Sequence, residues 1–280
     1  MTVYFVFFVL PAVLSFILAF TDWNSSSAGF GFGYINFVGI QNFIDVFQDR
    51  IIKTAIPNTF IFTVTTTFFK IVVGLVMALF LNMELKTRGF LRSVFYFPCI
   101  LSTIAVGVIF RSLYHPNHGL INQGLELIGL GALVRPWLGN VKTVMYALSA
   151  IEIWKWTGFH TVIFLAGLQS VDREFYESAA IDGTGRFSKF WYITLPLIQS
   201  SMTTNLVFCI TGGLKVFEVI LATTKGGPGT ASEVLGSMVY KKFTQGFFSV
   251  SVAAGLLLFI IVIVITYPVY YLRQKKEVEY

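Results

Sequence analysis

The chain has 280 residues, of which only 12% are charged and 55% are hydrophobic, and its mean hydropathy is +0.74. Ordinary globular proteins carry about 25% charged residues, so this composition excludes a water-soluble domain and predicts an integral membrane protein. The formal net charge of +6 is better explained by basic cytoplasmic loops facing anionic lipid than by a nucleic-acid site. The two cysteines, Cys99 and Cys209, lie in apolar runs, which favours packing over a disulfide or a metal site.

Six apolar stretches are long enough to cross a membrane, because a spanning helix needs about 20 largely apolar residues. They approximate to residues 3–20, 58–82, 94–114, 143–167, 193–224 and 248–272. The sequence therefore predicts an all-α polytopic membrane protein with six transmembrane helices.

The first and the fifth stretch are irregular. The first has the length of a secretory signal segment, so a cleaved signal peptide is an alternative. A retained helix is favoured because no small-residue cleavage site follows and residues 21–23 are typical of an interfacial anchor. The fifth is too long for a straight span and contains Pro196, Gly212 and Gly213, which predicts a bend or an offset entry.

The basic residues predict the orientation. Nine lysines and arginines fall within the 42 residues of one set of connections, and seven fall within the 88 residues of the other set. The first set comprises 83–93, 168–190 and 273–280; the second comprises 21–57, 115–142 and 225–247. By the positive-inside rule the first set is cytoplasmic, and six spans then place both termini inside.

Three segments follow from this arrangement. Residues 1–57 form the first helix and an external loop, 58–272 form a core of five transmembrane helices with a cytoplasmic loop at 168–192, and 273–280 form a cytoplasmic tail. The chain has neither a Gly-rich phosphate loop nor a catalytic or metal-binding spacing, and its three scattered histidines are interpreted as structural. An enzymatic activity within this chain is therefore not expected.

The cytoplasmic loop carries a second pattern. Residues 173–181 favour a helix, Asp182-Gly183 is a strong turn signal because glycine tolerates positive φ, and a second short helix is predicted over 186–193. The residues alone leave two interpretations open: an amphipathic helix resting on lipid, or a helix–turn–helix that docks on a partner.

The same loop resembles the "EAA" signature of the permease subunits of ABC importers. That signature has Glu-Ala-Ala, a glycine four positions after the second alanine, and Ile-x-Leu-Pro after nine more residues. The matching residues are Glu177, Ser178 (in place of an alanine), Ala179, Ile181, Asp182, Gly183, Ile193, Leu195 and Pro196. Residues 89–124, 154–169 and 223–229 resemble the carbohydrate-uptake branch of the family, the maltose, glycerol-phosphate and multiple-sugar type. The likeness covers roughly 52–272 and is strongest to the first of the two permeases.

The resemblance implies the MetI-like fold of type I ABC importers and a set of partners. A second permease forms a heterodimer with this chain and completes the pathway. Two ATPase subunits bind ATP and Mg, so no cofactor is expected in this chain. An external binding protein delivers the sugar. In this scheme Glu177 pairs with a basic residue of the ATPase, Ala179 allows close approach, and Gly183 forms the turn, with Ser178 and Asp182 beside them. The location implied is the cytoplasmic (inner) membrane of a bacterium or archaeon.

Ionisable residues inside the spans are candidates for the transport path, because burying them in lipid is costly. Lys70 and Arg111 stand alone, whereas Glu152 with Lys155 and Lys215 with Glu218 are spaced i, i+3. That spacing lets each pair neutralise itself on one helix face, and both a structural role and a path-lining role stay open.

When this chain is aligned with the maltose-type permease, the sugar-contacting positions of that permease fall on seven residues of this chain. They are Lys155, Trp156, Phe159, Cys209, Gly212, Gly213 and Val216. The polar amides expected on the fifth span are replaced by Gly212, Gly213 and Val216, which argues against maltose itself and indicates a wider passage. An anionic sugar is an alternative cargo because Lys155 and Lys215 fall near the path. An ion-driven secondary transporter would also explain the buried charges, but not the cytoplasmic motif.

Overall fold

The computed structural model describes residues 1–28, 35–84 and 86–275, and the regular structure of these residues is helical. Lys276, which the sequence places in the cytoplasmic tail, lies outside the described residues. The helices are α1 Thr2–Leu18, α2 Ser25–Ala28, α3 Gln41–Gln48, α4 Ile52–Asn82, α5 Arg88–Ile100, α6 Thr103–Leu113, α7 Leu120–Leu127, α8 Val144–Ser170, α9 Arg173–Ile181, α10 Arg186–Leu197, α11 Gln199–Leu214, α12 Glu218–Thr223, α13 Leu235–Thr244 and α14 Phe248–Gln274.

Two helices are long and apolar enough to cross a membrane singly, and two bent pairs, α5–α6 and α10–α11, pass as broken spans. Only 33% of the apolar window of α4 and 28% of that of α14 is buried within the chain. The remaining surface is apolar and is suited to lipid or to other subunits. The six-span count is compatible with these helices and stays a prediction.

The third predicted span, 94–114, is not one helix. It breaks at Leu101-Ser102, where α5 and α6 meet at 94°. The backbone of Leu101 is extended, with ψ of 143°, and the Ser102 carbonyl accepts a hydrogen bond from Val106 N at 2.9 Å to open the next helix.

The fifth predicted span bends as expected, but not at its glycines. α10 and α11 meet at 70°, with Ile198 between them, two residues after Pro196. Gly212 and Gly213 continue α11, which ends at Leu214 and leaves residues 215–217 as a second break before α12.

Among the described residues, two of the three apolar core clusters lie along the contact between α4 and α8, and the third joins the start of α4 to α14. Phe62, Leu148 and Ile151 belong to one of the first two clusters, and Leu75 and Phe164 belong to the other. A polar layer, described below, lies between them.

Close helix approach stabilises this core, because in lipid helices associate through packing rather than through a hydrophobic driving force. Gly158 of α8 shows how tight the packing is. A Cβ added to Gly158 would lie 2.0 Å from the Phe95 carbonyl oxygen of α5, so only glycine fits there.

Candidate functional site

A cavity of about 460 Å³ lies where α4, α8 and α11 meet the two helix breaks. Thr103 borders it at the first break, and residues 215–218 border it at the second. Its volume falls within the roughly 300–1,000 Å³ of small-molecule sites. Interrupted helices beside a polar cavity are typical of membrane transporters.

A buried ion pair forms one wall of the cavity. Lys70 Nζ of α4 donates to Glu152 Oε1 of α8 at 3.1 Å, and the two side chains are only 2% and 9% exposed. The i, i+3 pairing of Glu152 with Lys155 expected from the sequence does not form. Lys155 Nζ instead donates to the Cys99 carbonyl at 3.2 Å, because the packing of α5 against α8 brings that carbonyl within reach.

The second expected pair, Lys215 with Glu218, does not share a helix. α11 ends before Lys215 and α12 begins at Glu218. Both side chains are exposed and line the rim of the cavity. The cavity lining therefore carries two lysines and two glutamates, and its formal charge is zero.

Aromatic rings also line the cavity, on the same face of α8 as Glu152 and on α11. Trp156 and Phe159 meet edge to face at 6.1 Å between ring centroids, and Phe159 meets Phe208 in the same way at 5.7 Å. Lys155 Nζ lies 4.2 Å from the centroid of the Trp156 ring and covers one of its faces. Such a wall offers flat apolar surface beside the polar pair.

His160 closes the floor of the cavity. Its Nδ1 lies 2.8 Å from Asn205 Oδ1 and its Nε2 lies 3.4 Å from Cys209 Sγ. A neutral imidazole satisfies both contacts, since Nδ1–H can donate to the amide oxygen while Nε2 accepts from the thiol. Cys209 therefore lies behind the cavity wall, supporting His160.

The seven residues implied by the maltose-type register divide into two groups. Trp156, Phe159, Gly212 and Val216 line the cavity. Lys155, Cys209 and Gly213 do not lie among its lining residues.

The two adjacent glycines face different surroundings. A Cβ added to Gly213 would lie 2.9 Å from Thr63 Cα of α4, whereas one added to Gly212 would meet no atom within 4 Å. Gly213 therefore allows two helices to approach, and Gly212 leaves space in the cavity.

Sequence reasoning missed Phe208 as a lining residue and missed the partner of Glu152. The signal for the ion pair was present, since Lys70 and Glu152 are charged residues within apolar stretches. The signal for Phe208 was absent, because one more phenylalanine in a chain with 30 of them carries no information.

The helix–turn–helix predicted for residues 173–193 forms: its first helix is Arg173–Ile181, and its second helix runs on to Leu197. Gly183 has φ of +71°, and Thr184 N donates to the Ala179 carbonyl at 3.0 Å to close the turn. Tyr176 Oη bonds Thr194 Oγ1 at 3.2 Å and ties α9 to α10.

Within this segment one motif residue is buried and four are exposed. Ala179 packs inward, while Glu177, Ser178, Asp182 and Gly183 face outward. The exposed face is continued by Ile181, which is 87% exposed. The segment therefore presents both acidic and apolar groups on a helix joined to α10 by the Tyr176–Thr194 hydrogen bond and by Lys189 Nζ, which donates to the Tyr176 carbonyl at 3.4 Å.

Comparisons with known proteins agree on one family. The family described as "Binding-protein-dependent transport system inner membrane component" matches residues 70–277. The multiple sugar-binding transport system permease protein MsmF of Streptococcus mutans is 32% identical over 98% of this chain and 92% of its own length. The trehalose/maltose transport system permease protein MalF of Thermococcus litoralis is 31% identical over 98% of this chain and 90% of its own.

The fold is also found in a solved structure. A chain from a bacterial ABC transporter that imports the acidic polysaccharide alginate superposes with a TM-score of 0.83 and 24% sequence identity, covering 98% of this chain and 92% of that one. The fold expected from the EAA-like motif is therefore confirmed, and the chain belongs to the family of inner membrane components of binding-protein-dependent transport systems.

Proposed function

We propose that the chain is a permease subunit of a binding-protein-dependent ABC importer for a sugar or oligosaccharide. Its relatives are sugar-transport permeases, and the observation that carries the proposal is the cavity itself. Aromatic rings and a buried ion pair line it together, beside two broken helices. The chain is a transporter part and not an enzyme, and the ATP and Mg that drive it are bound by the partner ATPases.

The cavity is one half of the translocation path. Phe208 is 51% exposed and Gly212 is exposed at the open side, so a second, related permease closes the chamber in a heterodimer. Trp156, Phe159, Gly212 and Val216 contact the cargo, while Lys155, Cys209 and Gly213 support the wall from behind.

Coupling to the ATPase runs through α9. Glu177 pairs with a basic residue in the ATPase groove, Ile181 adds apolar contact, and the turn at Gly183 fits the end of the groove. Since α9 is tied to α10, which continues through a bend into the cavity-lining α11, a movement of α9 is transmitted to the path.

The chain resides in the cytoplasmic membrane of a bacterium or archaeon. The basic residues support cytoplasmic termini, because the connections assigned to the cytoplasm carry nine lysines and arginines in 42 residues, whereas the opposite connections carry seven in 88. The substrate-binding protein then delivers cargo from the opposite face.

The test is charge reversal in the docking helix of the assembled importer. Glu177→Lys is expected to lose the co-purifying ATPase and the uptake of labelled sugar, while the chain still inserts. The matched control is Glu126→Lys, the same change at an exposed position on α7, which should keep both.

Normal uptake and substrate-stimulated ATP hydrolysis in Glu177→Lys would contradict the coupling assignment. Uptake that continues without ATPase subunits and follows an imposed ion gradient would favour the ion-driven transporter instead.

A further inference from the structure

We infer that the Lys70–Glu152 pair is the polar subsite of the cavity and that the cargo it takes is an uncharged saccharide. The inference rests on the proposed function. It adds that the cargo is uncharged and names the residues that bind its hydroxyl groups. The pair's two side chains, on α4 and α8, are not among the seven positions obtained by alignment with the maltose-type permease.

The pair has hydrogen-bonding capacity left over. Glu152 Oε1 accepts from Lys70, whereas Glu152 Oε2 accepts no hydrogen bond from the described part of the chain, and Lys70 uses one of its three ammonium hydrogens on the carboxylate. A buried ion pair is stabilised only when its remaining donors and acceptors are also satisfied. Because both side chains line the cavity, the missing partners have to come from its contents.

A saccharide supplies those partners. Each hydroxyl is both a donor and an acceptor, so neighbouring hydroxyls can donate to the Glu152 carboxylate and accept from the Lys70 ammonium at the same time. The apolar face of the same sugar ring can lie against the part of the Trp156 ring that lines the cavity, while Lys155 Nζ covers one face of that ring at 4.2 Å.

The charge balance favours a neutral ring over an acidic one. Lys70 is compensated by Glu152 at 3.1 Å, and Lys155 is turned to a backbone carbonyl outside the cavity. Lys215 and Glu218 both line the cavity at its exposed rim, and the described residues show no ion pair between them. A uronate or a sugar phosphate bound at the pair would place its charge beside the Glu152 carboxylate, where the Lys70 ammonium is already compensated, and the low dielectric of this buried site strengthens that repulsion. The exposed Lys215 does not remove it, because solvent screens a charge at the rim.

The competing explanation is that the pair only joins α4 to α8. Two double variants separate the roles. Lys70→Met with Glu152→Leu replaces the pair by apolar side chains of similar size, a change that is often neutral or stabilising for folding. Lys70→Glu with Glu152→Lys keeps a reversed pair.

The experiment uses the complete importer with its binding protein in proteoliposomes. The probes are neutral trisaccharides (maltotriose, xylotriose, arabinotriose and chitotriose) and acidic ones (trigalacturonate and trimannuronate). Wild type is expected to import at least one neutral probe and neither acidic probe.

The apolar double variant should assemble with its ATPase but need at least tenfold more neutral probe for half-maximal uptake, while the reversed pair retains uptake. Glu152→Gln, which leaves Lys70 uncompensated, should raise the acidic-to-neutral uptake ratio at least tenfold.

Three results would overturn the inference: import of an acidic probe by wild type, normal neutral uptake by the apolar double variant, or an unchanged ratio in Glu152→Gln. If the apolar double variant does not assemble, the ratio in Glu152→Gln decides. Absence of uptake of every probe by wild type would count against the proposed sugar-import function itself, so the two failures are distinguishable.

Discussion

The two adjacent glycines of α11 provide a test of the packing with a built-in control. Gly213→Ala adds a Cβ that would lie 2.9 Å from Thr63 Cα and 3.0 Å from both Thr63 Cγ2 and Oγ1. Gly212→Ala adds the same atom in open space. Both changes exchange glycine for alanine near the end of one helix, so their gain in helix propensity, up to about 1 kcal/mol, is shared and cancels in the comparison.

The two variants should therefore differ in free energy of unfolding by the cost of overpacking at Gly213, about 1–3 kcal/mol. Each kcal/mol shifts the unfolding temperature of a 150–250-residue domain by about 2–4 °C, so Gly213→Ala is expected to unfold roughly 2–12 °C below Gly212→Ala. Thermal unfolding of the purified complex in detergent, followed by tryptophan fluorescence, measures this difference. Equal unfolding temperatures, or a lower one for Gly212→Ala, would refute the assignment of Gly213 to the α4–α11 contact and of Gly212 to the cavity.

Two further predictions concern the same glycines and the ion pair between Asp49 and Lys242. Gly212→Phe should block sugar uptake while the complex still assembles and hydrolyses ATP, because the added ring fills the cavity. Gly213→Phe should be lost from the complex, because its ring would collide with α4. Sugar uptake and co-purification distinguish the two variants, and full uptake by Gly212→Phe would contradict the path assignment. At Asp49, burial opposes ionisation, but the hydrogen bond and charge of Lys242 and the Ile51 N–H outweigh it and lower the pKa below its ordinary 3.8. The stability from this ion pair is therefore present above pH 3.8 and lost as the pH falls through the lowered pKa, so acid unfolding curves of wild type and Asp49→Asn should converge at low pH; a gap that persists there would contradict it.

The sequence predicted those features that depend on neighbouring residues. Helix α9 was predicted with the bounds that the structure gives it, Arg173–Ile181, because its helix formers and the Asp182-Gly183 stop are local signals. The membrane class followed from composition, since a chain with so few charges cannot cover itself with polar surface. The cytoplasmic motif that identified the family is also a short-range pattern.

Features that depend on contacts between distant residues were not predictable in this way. The break at Leu101-Ser102 lies inside an apolar stretch whose hydropathy is continuous. Hydropathy measures affinity for lipid and carries no information about the direction of the chain, so it could not give the 94° angle between α5 and α6. Pro98, three residues before the break, was a local signal for an interruption, but the direction of α6 depends on tertiary packing.

The sequence by itself determined that this protein is a helical membrane protein of the permease family, and it predicted helix α9 with its turn at Gly183. Only the tertiary structure decided which charges meet: Glu152 pairs with Lys70, 82 residues away, rather than with Lys155 on its own helix. The physical reason is that spacing along a helix fixes which side chains share a face, whereas the register between α4 and α8 is set by packing along their whole length. That register brings one lysine to the carboxylate, turns the other away, and thereby forms the polar wall of the cavity.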